Sequence, residues 1–232
     1  LLLGFPQRYV DRGWTASTDA LPEVERRREL AAMGIGGGRP TRKGTAVTDV
    51  LFMASRDGHS FYVWPEAFIR PGIQRPGNWY YGDAWYTWGL VETASDYPGA
   101  PPELSCYVQE RERRDGPGRL RRHTLRLDGF GSVSAPLTGG GMTTRPLVFT
   151  GNRLEINFAT SAGGRLRAEL QDDRGRPIPG YTLDACHLQY GDQLDRVVSW
   201  RGGADVGALS GRPVRLRFEL KDADLFALRF VA

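Results

Sequence analysis

The chain has 232 residues, of which 40 % are hydrophobic, 11 % aromatic and 25 % charged, an ordinary globular balance that excludes disordered and collagen-like classes. Its longest apolar run is too short for a membrane-crossing helix, which needs about 20 apolar residues, so no membrane partner is expected. The formal charge is +4, and Lys43 and Lys221 are the only lysines among 31 basic residues. The arginines mostly alternate with apolar residues, as in Val214-Arg215-Leu216-Arg217-Phe218-Glu219-Leu220, which places them on solvated strand faces. The densest basic stretch, from Arg111 to Arg122, is broken by Glu112, Asp115, Gly116 and Pro117. It reads as a hairpin tip, and nucleic acid is not expected as a partner.

Leu1-Leu2-Leu3 is stopped at once by Gly4, Pro6, Gln7 and Arg8. With no initiating Met, basic leader or cleavage site, the start is expected to lie inside a longer protein, and export to the periplasm or beyond stays open. Pro22-Glu23-Val24-Glu25-Arg26-Arg27-Arg28-Glu29-Leu30-Ala31-Ala32-Met33 opens on Pro, keeps acids early and runs into Gly34, which predicts one short helix. Gly34-Ile35-Gly36-Gly37-Gly38 follows a helix instead of opening one, so it is a connector and not a phosphate loop.

From Thr48 the period is that of strands, predicted over 49–54, 60–64, 85–91, 104–108 and 121–127. A second series covers 147–150, 154–158, 166–170, 196–200, 214–220 and 225–230, with Asp172-Asp173-Arg174-Gly175 as a hairpin turn. Short alternating strands with close turns predict a β-sandwich. The fold class is therefore all-β, with a domain boundary near Asp128 that separates residues 1–128 from 129–232. Cys106 and Cys186 stand far apart, and His59, His123 and His187 are scattered; neither set has metal-ligand spacing, and no cofactor or metal is implied.

Ser55-Arg56-Asp57-Gly58-His59-Ser60-Phe61 resembles the S-x-D-G-x-x-[FW] turn of β-propeller glycosidases, a relative of the sialidase Asp-box. In that turn the Asp and Ser side chains satisfy turn amides, Gly allows the reversal and the aromatic packs between strands. The role assigned to Asp57 is therefore structural. Six further strings occur in order: Glu66-Ala67-Phe68-Ile69-Arg70-Pro71-Gly72, Gly77-Asn78-Trp79-Tyr80-Tyr81-Gly82-Asp83, Trp88-Gly89-Leu90-Val91-Glu92-Thr93, Pro102-Glu103-Leu104-Ser105, Leu125-Arg126-Leu127-Asp128-Gly129-Phe130 and Asp222-Ala223-Asp224-Leu225-Phe226. Together they resemble the C-terminal half of uncharacterised bacterial proteins similar to glycoside hydrolase families 32 and 43. The resemblance implies a five-bladed propeller followed by a β-sandwich, here with about two blades, given ~40 to 50 residues per blade. It also implies that the catalytic acids of the earlier blades lie outside this sequence, so no catalytic residue is assigned.

Glycoside hydrolysis needs two carboxyl groups about the scissile bond, and sugar subsites combine ring faces with amide and carboxylate groups. The substrate-binding candidates are Glu66, Arg70, Asn78, Trp79, Tyr81 and Asp83, with Glu92 and Glu103 ranked behind them. Arg70 is expected to hold the Glu66 carboxylate ionised. Of the aromatic cluster Trp79, Tyr80, Tyr81, Trp85, Tyr86 and Trp88, part is expected in the core, with Trp79 and Tyr81 left for a ligand. The expected function is the C-terminal portion of a glycoside hydrolase-like carbohydrate-active protein lining part of a sugar pocket. The alternative is a non-catalytic carbohydrate-binding or structural β-sandwich module. A carbohydrate is the expected partner, and open blade edges add an expectation of self-association.

Overall fold

The computed structural model describes residues 1–10, 13–33, 42–45, 47–87, 89–111 and 118–232, without the side chains of 42 and 43. The glycine connector at 34–38, Trp88 and most of the basic hairpin tip lie outside the described residues. The protein is all-β, 47 % strand and 8 % helix, with a sheet curled into a half-barrel. It divides into two compact units: residues 1–93 with 104–124, and residues 94–103 with 125–232.

The first unit holds two small sheets of similar build. In one, β1 (Leu2–Gly4) and β2 (Gln7–Tyr9) pair with successive parts of β3 (Thr48–Ser55), and β4 (Tyr62–Ile69) pairs with β3 on its own. In the other, β5 (Trp85–Tyr86) and β6 (Val91–Thr93) pair with β7 (Glu103–Glu110), which also pairs with β8 (Arg119–Arg126). Each sheet thus has a broken first strand, a full-length middle strand and a hairpin partner. Between β2 and β3 come α1 (Ala16–Asp19), α2 (Val24–Ala32) and α3 (Arg42–Thr45). The predicted helix forms as α2, with exposed Arg26–Glu29 and Arg28–Glu25 pairs at i,i+3. Arg27, however, is fully buried alongside Leu30 and Ala31.

The turn between β3 and β4 has the internal bonding expected of the S-x-D-G string. Ser55 Oγ accepts from the amides of Asp57 and Gly58. Asp57 Oδ1 accepts from the amides of His59 and Ser60 at 2.9 and 2.8 Å and from Ser55 Oγ at 2.9 Å. These donors hold the Asp57 carboxyl well below the usual carboxylate range. Gly58 has φ +78, a conformation that costs glycine nothing. Phe61 corrects the aromatic part of the expectation: it is exposed, because the ring pairing falls instead to Tyr62 and Trp64, 4.5 Å apart and edge-on.

The second unit is built on one five-stranded sheet of order β10–β13–β11–β12, with β9 also paired to β13. Its strands are β9 (Val133–Ala135), β10 (Gly140–Thr143), β11 (Arg153–Asp172), β12 (Asp192–Val197) and β13 (Val214–Val231). The runs read as separate short strands at 154–158 and 166–170 are one strand, as are those at 214–220 and 225–230. The register shifts between Asn157 and Phe158 and between Thr160 and Arg165, and such bulges bend a ladder without ending it. Gly164 makes the close approach possible there: a Cβ would lie 2.2 Å from the Asp222 carbonyl oxygen. The bent sheet encloses Leu154, Ile156, Phe158, Leu166, Leu170, Trp200, Leu216, Phe218 and Leu220. Trp200 donates from Nε1 to the Ala168 carbonyl at 3.0 Å, as a buried indole should. The predicted turn at 172–175 closes with Gly175 N donating to Asp172 O and Gly175 at φ +83.

Candidate functional site

The candidate site of the first unit is built on the segment 71–85, whose shape is set by a buried arginine. Arg27 donates from Nε to Pro22 O at 3.0 Å and from its terminal nitrogens to Gly44 O, Trp79 O and Asn78 O at 3.1, 2.7 and 3.3 Å. Its guanidinium lies 4.3 Å from the Tyr80 ring centroid, so the charge is spread over carbonyl dipoles and a ring face. Gly44 permits this packing, since a Cβ there would sit 2.2 Å from Arg27 O. Glu23, at φ +59, accepts at Oε2 from Gly77 N and Tyr80 Oη. The first turn of α2 and its N-cap therefore grip the middle of the segment, at residues 77–80.

Within it, Asn78 is a structural hub: Oδ1 accepts from Arg75 N at 2.7 Å, and Nδ2 donates to Pro71 O and Ile73 O. Trp79 has φ +64 and donates from its indole to Gly72 O at 3.0 Å. Gly82 has φ +90 and donates to Thr48 Oγ1. These two reversals break strand alternation, so Tyr81 and Asp83, two apart in sequence, reach different cavities.

Asp83 is 5 % exposed, and its Oδ2 has no hydrogen-bond partner among the described residues. Burial pushes its carboxyl up to about 7, against the opposing pull of the Tyr80 and Trp79 amides and the Arg27 charge. It lines a cleft of about 180 Å³ with Arg75, Asn78, Glu110, Arg111 and Arg119. Glu110 is held in this cleft by a two-point ion pair with Arg121, at 2.6 and 3.0 Å.

Tyr81 faces a larger hollow of about 580 Å³, lined by Gln7, Arg8, Tyr9, Thr48, Leu51, Tyr81 and Trp85. Tyr81 stands edge-on to Tyr9 at 5.4 Å and to Trp85 at 6.0 Å. Successive perpendicular rings wall the hollow instead of stacking into a closed slab. Arg8 is fixed by paired bonds to Asp49 at 2.9 and 2.7 Å and a third to Pro65 O. Trp85 Nε1 is buried without an acceptor, and Tyr86, next in sequence, turns the other way to stack on Phe5 at 4.3 Å.

The six expected binding residues are thus distributed. Asn78 and Asp83 share the small cleft, and Tyr81 belongs to the hollow. Trp79 is half-buried, with its indole tied to the Gly72 carbonyl, and does not line the hollow, whereas Trp85 does. Glu66 and Arg70, on β4 and just after it, are both exposed. Among the described residues no ion pair joins them, which corrects the expected carboxylate–arginine contact; they are four apart on a strand and not a helix, too far along the rise for a pair. Sequence reasoning missed Tyr9, Arg75, Glu110, Arg111, Arg119 and the buried Arg27. Nothing separates Arg27 from its neighbours Arg26 and Arg28 in the string itself.

In the second unit a cleft of about 530 Å³ is lined by Asp128, Glu155, Asn157, Asp192, Asp195 and Arg229, among others. Arg126 donates to Asn157 Oδ1 at 2.6 Å and pairs with Asp192, and Arg229 pairs with Glu155 at 2.8 Å. Among the described residues, no group of three or more His, Cys, Asp or Glu side chains could hold a metal ion, and no helix is long and apolar enough to cross a membrane. No protein-family model, curated protein or solved structure matches the chain.

Proposed function

We propose that the protein is a portion of a glycoside hydrolase-like carbohydrate-active protein, and that the hollow walled by Tyr9, Tyr81 and Trp85 contacts a sugar. The single observation that carries this reading is the hollow itself. Three ring faces or edges, the Gln7 amide, the fixed Arg8 guanidinium and the Thr48 hydroxyl surround about 580 Å³. Sugars present apolar C–H faces and a fringe of hydroxyls, and a wall of that mixed character matches both.

The partial propeller is the finer part of the proposal. It is supported by the two successive sheets of like build and by the open side of β4. That strand pairs with β3 alone among the described residues and exposes Tyr62, Val63 and Trp64. In a propeller such a face meets the next blade; left open, it favours self-association. The β-sandwich is likewise part of the proposal, supported in the second unit by its bent five-stranded sheet, and fold alone does not fix its chemistry.

A second reading is favoured by the cleft at Asp128, Glu155, Asn157, Asp192 and Asp195. The carboxylates of Asp128 and Asp195 have no partner among the described residues, which leaves them free to accept sugar hydroxyls. Here the second unit is a non-catalytic carbohydrate-binding module. Glycan-array binding by the whole chain separates the two. Loss of the signal with Tyr81→Ala and Trp85→Ala supports the hollow, and loss with Asp128→Ala and Asp195→Ala but not with the aromatic variants supports the second unit. An array on which nothing binds counts against both.

A further inference from the structure

We propose that the cleft between the 71–83 segment and the facing ends of β7 and β8 is an oxyanion-binding site, in which Arg75, Arg111 and Arg119 receive a carboxylate or sulfate-like group and Asp83 donates a hydrogen bond to it. The site is separate from the aromatic hollow and does not rest on the sugar reading.

Charge points to the ligand class. Three arginines, Arg75, Arg111 and Arg119, line the cleft, and none of their guanidinium groups has a hydrogen-bond or ion-pair partner among the described residues. The acid at the same wall, Glu110, is already committed to Arg121 at 2.6 and 3.0 Å, so it does not neutralise them. Planar, five-donor guanidinium groups suit oxyanions better than any other ligand. Arg111 sits at φ +65, a conformation that L residues adopt reluctantly.

Asp83 supplies the second, independent observation. It is only 5 % exposed, it lines this cleft, and its Oδ2 lacks any partner among the described residues. A buried polar atom without a partner is costly unless something completes it. An ionised Asp83 would repel an anion, whereas a protonated one offers an O–H donor in a cleft that three arginines line. The charges that act on its carboxyl are Arg27 from α2 and Glu110 at the end of β7; Arg75 from its own segment, Arg111 just after β7 and Arg119 from β8 line the same cleft. Its carboxyl titrates near neutrality with burial as the cause, so a bound anion, by adding negative charge, shifts it further towards the protonated form. Binding is then linked to uptake of one proton. The volume, about 180 Å³, admits one small charged group and not an oligosaccharide.

The test is isothermal titration of the whole chain with glucuronate, sodium sulfate and glucose between pH 6 and 8.5, where neither anion titrates. Saturable binding of an anion, with glucose silent at this site, is the expected result. Affinity should fall by about tenfold per pH unit above about 7, and titrations at about pH 8.5 in two buffers of different ionisation heat should report close to one proton taken up, with less at lower pH. Arg75→Gln with Arg119→Gln should abolish binding without moving the melting temperature, since neither side chain has a partner to lose. Asp83→Asn should keep binding and lose its pH dependence. Preference for glucuronate identifies an acidic sugar as the source of the anion, and preference for sulfate a tetrahedral oxyanion. Absence of saturable binding by either anion overturns the proposal, as does binding that survives the double arginine substitution. Anion binding by the wild type without proton uptake removes Asp83 from the site, whether or not its Asn variant folds.

Discussion

The two units solve the same problem, how to fix a β-rich chain, with opposite materials. The second unit encloses a cluster of nineteen buried apolar side chains, supplied mainly by the inward positions of two long strands. Among the described residues the first has a cluster of five, Val50, Ile69, Ala84, Cys106 and Val108, and supplements it with buried Arg27, Asp49, Asn78, Asp83 and Ser105. Where apolar area is plentiful, alternation specifies the fold and most surface positions are free to vary. Where it is scarce, hydrogen-bonded polar groups carry the specification, and each becomes hard to replace. Both cavities of interest in the first unit, the hollow and the anion cleft, lie against that polar scaffold.

This contrast can be broken at either end. The largest effect is expected from Trp200→Ala, which opens a cavity in the second unit and strips the Ala168 carbonyl of its donor. A loss of about 5 kcal/mol, the upper part of the range for such truncations, should be seen by urea denaturation, confined by hydrogen exchange to the second unit. Arg27→Ala should cost the first unit about 3 to 5 kcal/mol, by leaving carbonyls of Pro22, Gly44, Asn78 and Trp79 without their donor. It should raise amide exchange across 71–85 while leaving the second unit protected. If Arg27→Ala proved as mild as a surface substitution, the claim that polar groups fix this unit would fail.

Asp83 sharpens the comparison by pH. An acid whose pKa is raised on folding adds stability that is whole below its unfolded value near 4 and is lost as pH rises through its folded value of about 7. The wild-type first unit should therefore weaken by roughly 4 kcal/mol between pH 4 and pH 8 on this group's account. Asp83→Asn should flatten that slope, and thermal melts of both proteins across the range measure it. The smallest effect belongs to Asp57→Ala in the exposed turn. Its pKa is lowered by the Ser60 and His59 amides, so the variant should melt below wild type at pH 7, with the gap closing as pH falls below about 4.

The same contrast explains what could be read from the sequence. The second unit's inward residues, such as Leu154, Ile156, Phe158 and Leu216, Phe218, Leu220, follow a two-residue period and were legible as strands. What the period could not tell was that Gly163-Gly164 and Lys221-Asp222 are bulges and not turns, because both use the same residue types. In the first unit the S-x-D-G turn was legible because its bonds are local, within six residues. The site was legible only in part. Asn78, Tyr81 and Asp83 sit at cavities or hold their walls, but their partners come from Tyr9, Arg27, Glu110 and Arg119, and local patterns carry no information about such distant pairings. The positive φ at Trp79 also turns the chain inside the loop from which Trp79 and Tyr81 were both expected as ligand contacts.

Saturation-transfer NMR with a mixed panel of neutral oligosaccharides tests the carbohydrate reading most directly, because it reports which sugar protons lie against the protein and the aromatic variants show whether the rings make that contact. The account predicts transfer to ring C–H protons of at least one sugar, abolished by Tyr81→Ala and by Trp85→Ala while Asp83→Asn leaves it in place. Transfer that is absent for every sugar, or that survives both aromatic substitutions, would contradict it.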